Sequence, residues 1–277
     1  MHRIDPGEPL QQAVLDDNPV VQSRALRAVG ELGRIDLAHL AARLVSHADE
    51  SCRFFASWSA ALLGLRDQDV AGTLRAFAES AGDYAERAVQ TALHCMRPDK
   101  ARTWLSSLLN DPKRLRLGVI GIGVWGDPAL VSELIGYMEL ENVSRIAGEA
   151  FSMITGVDLK SSNLDRPKPE RFEAGPNDDP ADPNVAMDAD EDLPWPDANL
   201  IGKWWEKHAS EFQPGVRHLL GKPITIDWMQ QVLRIGRQRQ RAAAAFELAI
   251  MQPGVPLFEV RAPGFRQQEL LQISARR

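Results

Sequence analysis

The feature that most constrains the fold of this chain is a repeat in the spacing of small residues. Five times in the first 157 residues, a small residue is followed eight positions later by a residue suited to ending a helix. The steps between successive small residues are 31, 32, 30 and 30. A fixed period of this length is the signature of stacked, similar units. The five pairs are Ala25/Gly33, Ala56/Gly64, Ala88/Met96, Gly118/Gly126 and Gly148/Gly156.

Each repeat is predicted to be a pair of helices. Ala56 shares a stripe with Cys52, Ala60 and Leu63, and steps of three and four place residues on one side of a helix. Shorter amphipathic runs precede the later small residues, at residues 40–45, 74–78, 105–109 and 134–138. Two helices in about 30 residues are typical of a helical repeat. We therefore predict an all-α fold, with a right-handed α-solenoid of about five hairpins over residues 1–157.

The repeat resembles a known family of short helical repeats. The run at residues 18–30, NPVVQSRALRAVG, is similar to the HEAT-like repeats first described in phycobilisome lyases. Met96 departs from the pattern where a glycine is expected, and the fourth unit is unusually rich in glycine. Downstream motifs resemble an uncharacterised bacterial HEAT-repeat family, which implies an association with type VI secretion loci and no catalytic residues. These motifs are ITGVD at 154–158, LPWPD at 193–197, WW at 204–205 and LFEV at 257–260.

Residues 158–194 interrupt the repeat with an acidic segment. Residues 158–192 contain eleven acidic and four basic residues, so their net charge is 4 − 11 = −7, and the remainder of the chain carries −6 + 7 = +1. We predict a solvated linker with little core of its own, since it is rich in Pro and Asp. The run 188–192 lacks the glycine and the distal glutamate of a calcium loop.

Residues 195–277 are predicted to form a C-terminal helical region. Asp197 is expected to cap a helix that passes Trp204 and Trp205, and Asp227 to open a longer one that ends near Met251. An interruption at Gly236 is expected in the longer helix. Its basic residues form a candidate secondary surface, either solvated or paired with the acidic segment. These residues are Arg234, Arg237 and Arg241.

The sequence contains no convincing motif for catalysis, for cofactor binding or for metal binding. The run 121–126 matches Gly-x-Gly-x-x-Gly, but it lies in a predicted repeat helix instead of between a strand and a helix. The six histidines form no metal-binding cluster, and the two cysteines have no zinc or disulfide spacing. We therefore predict no catalytic residue, cofactor or metal. Without an apolar run long enough for a signal or a membrane span, we expect a cytoplasmic chain without a membrane partner.

The face opposite the small-residue stripe is the candidate binding surface. Positions two before and two after each small residue should lie on one side of a helix, because four residues make about one turn. In the second repeat these positions hold two large aromatic residues, which resemble the anchors of binding hot spots. The alternative is that these aromatics pack under a missing N-terminal repeat or against the C-terminal part. The candidate partner-binding residues are Arg27, Phe54, Trp58, Glu86, Gln90 and Arg116.

These observations favour a non-catalytic scaffold that binds another protein. The family resemblance implies a secreted bacterial toxin or a secretion component as the partner, with this chain as an immunity protein or adaptor. An enzyme or accessory subunit related to lyases remains an alternative, and it predicts a deep pocket with convergent polar groups. A helical-repeat nucleic-acid binder is the other alternative. It is disfavoured because the net charge is −6 and no broad basic surface is apparent.

Overall fold

The computed structural model describes residues 4–80, 82–176 and 185–274, together with residues 179, 181 and 183. Fourteen α-helices lie in these ranges, so the predicted all-α class is confirmed. The helices are α1 Glu8–Val14, α2 Pro19–Glu31, α3 Ala38–Arg43, α4 Glu50–Leu62, α5 Gln68–Glu79, α6 Ala85–His94, α7 Pro98–Leu109, α8 Leu115–Trp125, α9 Val131–Tyr137, α10 Glu141–Thr155, α11 Ala198–His208, α12 Ile226–Ile235, α13 Gln238–Met251 and α14 Gly264–Ser274.

Two short antiparallel strand pairs are the only sheet structure in the described ranges. β1 Asp165–Arg166 pairs with β2 Trp195–Pro196, and β3 His218–Leu219 pairs with β4 Lys222–Pro223. Short 3₁₀ turns precede α3 and α9 and follow α11, at Ile35–Leu37, Pro128–Leu130 and Ala209–Glu211. None of the described helices is long and apolar enough to cross a membrane.

The predicted helix pairs are observed in the predicted order. The five small residues lie in α2, α4, α6, α8 and α10, and the shorter runs before the later four correspond to α3, α5, α7 and α9. Ala25, Ala56 and Ala88 are all buried, as expected for a stripe that faces neighbouring helices. The Asn18 side chain accepts a hydrogen bond from Val20 N and caps α2, with Pro19 at its first position.

The chain divides into two compact units by its contacts. The first unit contains the residues up to Trp104 together with Ile224 onward, and the second contains Leu105–Pro223, so the division falls within α7. This grouping does not follow the predicted boundaries at residues 157 and 194. The physical reason is that residues from 224 onward pack on repeat helices, as shown by a hydrogen bond from Arg66 Nη2 to Ile250 O of 2.5 Å.

In the first unit, consecutive helices pack side by side. α2 contacts α4, α4 contacts α5, and α5 contacts α6, while α12 pairs with α13. The largest fully buried side chains here are Phe54, Leu26, Leu74 and Leu93. α13 adds Phe246, whose ring meets the edge of the His94 ring at 5.3 Å between centroids. The C-terminal helices thus complete this core.

The second unit has its own core. α8 and α9 both pack on α10, and α9 also contacts α11. Ile122, Phe151 and Ile201 are fully buried within it. The Gly-x-Gly-x-x-Gly run lies in α8 and at its end, preceded by helix α7, and a Cβ at Gly123 would meet Ala150 Cβ at 3.0 Å. These glycines therefore serve close helix packing.

Glycines at the ends of repeat helices are docking points for later parts of the chain. Gly33 ends α2 with φ +66°, and a Cβ there would lie 2.5 Å from Gly254 O. Gly126 ends α8 with φ +75°, and a Cβ there would lie 2.5 Å from His218 O. His218 N donates to Gly126 O at 2.7 Å. The periodic glycines thus end helices and also admit a second backbone, which a side chain would exclude.

Most described residues of the acidic segment are exposed, but its two ends and Asp190 pack on the second unit. Leu159, Leu164 and Leu193 are buried in the core of the second unit, and Asp190 is buried as well. The sequence analysis considered the charge of the segment without its partners: Arg116 and Arg145 of the repeat helices bind its carboxylates. Charges that are paired and hydrogen-bonded can be held in an ordered loop.

The C-terminal helices agree with the prediction in outline and differ in detail. Asp197 accepts a hydrogen bond from Leu200 N and caps α11, as predicted. Thr225 caps α12 instead of Asp227, which lies in its first turn. The break at Gly236 separates α12 from α13, and α13 ends at Met251 as expected.

Candidate functional site

The two aromatic anchors expected on the surface are buried. Phe54 is 0% exposed and Trp58 is 4% exposed. The Phe54 ring stacks on Tyr84 with 4.2 Å between centroids and meets the edge of Phe77 at 5.2 Å. The expectation of an exposed aromatic ridge was therefore wrong at these positions. Phe54 does not pack against an N-terminal repeat or the C-terminal part, as the alternative proposed, but against α5 and the residue before α6, which belong to the third repeat.

On α2, α4 and α6, the exposed face is rotated slightly from the predicted one. It contains the residues one position before and two positions after each small residue, which are three apart and therefore share a side of the helix. Arg27 is exposed on α2, Phe55 is half-buried on α4, and Arg87 is exposed on α6. The Arg27 guanidinium lies 5.8 Å from the centroid of the Phe55 ring, and that of Arg87 lies 6.0 Å from the centroid of the Trp58 ring.

Arg261 joins this face from the loop before α14. The carbonyl of Val260 accepts hydrogen bonds from Gln238 and Gln267, and Gln267 also donates to Ala262 O. Fixed carbonyls on both sides hold the backbone of Arg261, while its side chain is exposed. We refer to Arg27, Phe55, Trp58, Arg87 and Arg261 as the Arg–Trp surface.

Only one of the three arginines of the Arg–Trp surface is paired with a carboxylate. Arg27 pairs with Glu31 at 2.9 Å. The guanidinium groups of Arg87 and Arg261 form no hydrogen bond or ion pair with another residue in the described parts of the chain. Desolvation by the surrounding protein is the largest cause that lowers the pKa of Arg87, although part of its side chain is exposed, and the positive charges of Arg27 and Arg261 lower it further while Glu31 opposes the shift. Arg27 and Arg261 are therefore each close enough to Arg87 to repel it.

Trp58 contributes an unused hydrogen-bond donor. Its Nε1 is buried and has no hydrogen-bond partner among the described residues. An unsatisfied buried donor costs about 1–3 kcal/mol, so such groups are rare and call for a physical explanation. The indole ring lies beneath the Arg87 guanidinium. An unpaired donor and unpaired cations thus occur at the same place.

Glu86 and Gln90 lie on the same helix as Arg87. Glu86 is exposed, Gln90 is half-buried, and both lie within one helical turn of Arg87, at the border of the Arg–Trp surface. The backbone carbonyl of Gln90 lies 2.7 Å from His94 Nδ1, and His94 Nε2 lies 2.7 Å from Glu247 Oε1. Because a carbonyl can only accept, Nδ1 is the donor in the contact with Gln90. This buried pair joins α6 to α13.

Arg116 belongs to the second unit and is already bound there. Its two terminal nitrogens donate to the two carboxylate oxygens of Asp190 at 2.6 and 2.8 Å. Such bidentate pairing is among the stronger ionic contacts in proteins. The prediction of Arg116 as a partner-binding residue did not anticipate this internal partner, because the two residues are 74 positions apart.

The candidate secondary surface of Arg234, Arg237 and Arg241 is divided by the helix break. Arg234 donates to the carbonyls of Gln230 and Leu271, and Arg241 donates to Leu233 O and to Gln267 Oε1. Both therefore hold α14 in place. Arg237 is exposed at the start of α13. Gly236 ends α12 between Arg234 and the other two arginines, so the three residues do not lie along one continuous helix.

A cleft of about 470 Å³ lies in the second unit beside the acidic segment. In its lining, the Arg145 guanidinium lies 5.0 and 4.8 Å from the ring centroids of Phe172 and Trp195, which contact each other edge to face. Arg145 also donates to Asp190 O at 2.8 Å and pairs with Asp188 at 2.8 Å. The Arg145 cation is thus already paired within the chain, and Lys168 and Glu191 are the other charged residues of the lining.

One group of side chains in the described ranges has metal-like spacing, namely His47, Asp49 and Cys52. One atom of each side chain already forms a hydrogen bond within the chain. His47 Nδ1 accepts from Asp49 N, Asp49 Oδ1 accepts from Cys52 N as the cap of α4, and Cys52 Sγ donates to Pro19 O. Burial raises the pKa of the Cys52 thiol to about 12, so the thiolate needed for a metal ligand is disfavoured.

Comparison with family models, with curated proteins and with solved structures finds no match for this chain. The fold and the site by themselves define an all-α protein of paired helices that holds unpaired arginines beside a buried indole donor. Phe55, Arg87 and Arg261 were missed by the sequence analysis. A one-residue change of helical phase would have found the first two, whereas no local pattern places Arg261 beside them.

Proposed function

We propose that this chain is a non-catalytic, cytoplasmic binding protein, and that its first unit holds another protein on the Arg–Trp surface. In this proposal the repeat hairpins stack as a right-handed α-solenoid and present successive second helices to the partner. The observation that supports it is the pair of unpaired guanidinium groups, Arg87 and Arg261, beside the unpartnered Nε1 of Trp58. A surface with unused cations and a donor is suited to binding.

The contrast within the chain supports a binding role over a structural one. Where arginines have a structural role, as at Arg116 and Arg145, each is bound to a carboxylate of its own unit. Arg87 instead lies close enough to Arg27 and Arg261 for their positive charges to oppose its own. An internal structural role gives no reason to retain this repulsion. A partner that supplies negative charge does.

The identity of the partner follows from the family resemblance alone. On that basis the partner is a secreted bacterial toxin or a secretion component, and this chain is its immunity protein or loading adaptor. An immunity protein must cover its toxin tightly, so a preformed surface on rigid helices would reduce the entropic cost of binding.

Site-specific photocrosslinking tests the proposed binding surface. We expect p-benzoylphenylalanine at Glu86 or Gln90 to crosslink one defined protein in the native cell, because both positions border the Arg–Trp surface. The same residue at Asp69, exposed on α5, serves as the matched control. The crosslinked protein is identified by mass spectrometry and its binding is then measured with both purified proteins. Equal crosslinking from all three positions, or no binding by the purified protein, would contradict the proposal.

A further inference from the structure

We infer that the Arg–Trp surface is a receptor for an acidic peptide segment of the partner, whose carboxylates bind Arg87 and Arg261 and whose oxygen accepts the Trp58 Nε1 proton. This inference rests on the proposed function and specifies the chemistry of the bound segment. The surface is formed by three helices and a loop that are far apart in sequence, so no single sequence motif indicates it.

The charge of the surface selects an anion. Glu31 pairs with Arg27, whereas the guanidinium groups of Arg87 and Arg261 form no ion pair within the described residues. Glu86 is next to Arg87 in sequence, and the Glu259 carboxylate accepts a hydrogen bond from the backbone nitrogen of Arg261, so carboxylates border both arginines without pairing with their guanidinium groups. A partner that brings two carboxylates supplies each of these guanidinium groups with an ionic partner. Guanidinium and carboxylate groups also match in geometry, since both are planar and can pair through two hydrogen bonds.

The neighbouring groups favour discrete carboxylates over a nucleic-acid backbone. Glu31 lies among the arginines, and the exposed Glu86 is next to Arg87 in sequence. A continuous chain of phosphates would meet both acids, whereas a peptide can space its carboxylates to avoid them. Nucleic-acid surfaces also use exposed aromatic rings as stacking platforms. Here Trp58 is buried and Phe55 is half-buried beneath Arg27, so the rings are not available as a platform.

The buried indole explains why an oxygen acceptor is required as well as a negative charge. Trp58 Nε1 lies below the surface, and the Arg87 guanidinium lies over the ring without a hydrogen bond to hold it. An incoming carboxylate would attract the exposed Arg87 side chain away from the ring. The acceptor oxygen, or the backbone carbonyl beside it, then reaches the indole. A cation–π contact is thereby exchanged for a salt bridge and a hydrogen bond.

Titration with a fluorescently labelled hexaglutamate peptide tests the inference directly. The full chain is titrated at low ionic strength, and its affinity is compared with that of an Arg87→Gln/Arg261→Gln variant. We expect the Kd of the variant to rise about tenfold or more, and the affinity of the unmodified chain to fall as salt is added. Arg43→Gln removes an exposed arginine at the end of α3 and is the matched control, expected to bind like the unmodified chain.

The indole provides an independent readout. In a ¹⁵N-labelled chain, the Trp58 Nε1–H signal is assigned by its loss in Trp58→Phe. We expect that signal to shift downfield when hexaglutamate binds, as a new acceptor is engaged, and to stay in place with hexalysine. Unfolding midpoints establish that every variant is folded. Arg87→Gln and Arg261→Gln alter exposed groups without internal ion pairs, so folding should be retained.

Three results would overturn the inference. These are no binding of hexaglutamate, binding that is equal in the double variant, and tighter arginine-dependent binding of a single-stranded oligothymidine than of hexaglutamate. The last would assign the surface to nucleic acid. Failure here is separable from failure of the proposed function: a crosslinked partner that binds independently of salt and of Arg87 would leave the binding role intact and remove only its acidic chemistry.

Discussion

Arginines within this one chain have opposite environments, and the difference indicates their roles. Arg145 is buried, lies beside two aromatic rings and pairs with Asp188. Arg87 is exposed, lies over one aromatic ring and has like charges nearby. The first arrangement is complete within the chain, because every charge is compensated. In the second, no carboxylate of the described residues pairs with the guanidinium group, which is the physical basis of the proposed site.

The Asp188–Arg145 pair predicts a specific pH dependence. The hydrogen bond from Arg145, the largest cause, holds the pKa of Asp188 below its ordinary value of 3.8. Since the folded-state pKa is lowered, the stabilisation is present above the ordinary value and is lost as the pH falls through the folded-state value. We expect Asp188→Asn to lower the free energy of unfolding at pH 7 by about 1–3 kcal/mol and to reduce its dependence on pH below about 4.

Urea unfolding followed by circular dichroism at pH 7, 5 and 3 measures this effect. Asp192→Asn is the control, because Asp192 is exposed in the same segment, and we expect a change within about 0.5 kcal/mol. A parallel pH dependence for Asp188→Asn and the unmodified chain would show that the pair contributes little to stability.

At the scale of the elements, the repeat glycines have two roles: they end helices, and they allow a distant part of the backbone to pack closely on the helix end. The spacing of the glycines predicts where α2 and α8 end, and both helices end there. The close approach of Gly254 to Gly33, and of His218 to Gly126, is an additional property of the same residues. Only the first property leaves a local signal, since a helix end depends on adjacent residues whereas docking depends on a distant segment.

Two glycine substitutions distinguish the cost of filling a tightly packed helix end from the usual gain in helix propensity when alanine replaces glycine. We expect Gly33→Ala to lower the free energy of unfolding by about 1–3 kcal/mol, because φ is +66° and the new Cβ would overlap Gly254 O at 2.5 Å. Gly72→Ala, in mid-helix with open space around it, should instead raise that free energy by about 0.5–1 kcal/mol. Chemical denaturation of both variants measures the difference. A neutral result at Gly33 would mean that the loop at Gly254 can move away without cost.

At the scale of the whole molecule, residues distant in sequence complete each core. The helices after residue 224 belong to the same compact unit as α1–α6, and residues 159–201 contribute leucines and an isoleucine to the core around α10. The repeat array predicted over residues 1–157 is thus divided between two units, each closed by a later segment. An array of this kind is stable only when its apolar faces are covered.

Phe246 tests the contribution of the C-terminal helices to the first unit. The side chain is 5% exposed and packs on His94, so we expect Phe246→Ala to lower the free energy of unfolding by about 3–5 kcal/mol. Phe265→Ala, at a residue that is 66% exposed in the same unit, should change it by less than about 0.5 kcal/mol. Hydrogen exchange should show faster opening of α6 in Phe246→Ala only. Unchanged exchange in α6 would argue that the C-terminal helices are dispensable for this core.

The sequence by itself determined the class of fold and most of the helix pairs. Side-chain periodicity, helix caps such as Asn18 and Asp197, and the terminal glycines depend on neighbours within a few residues, so they can be read directly. The tertiary structure decided which side of α4 is buried, where the acidic segment is bound, and which arginines converge. These outcomes depend on contacts such as Arg116 with Asp190 and on the placement of Arg261, and contacts between distant residues leave no period in the sequence.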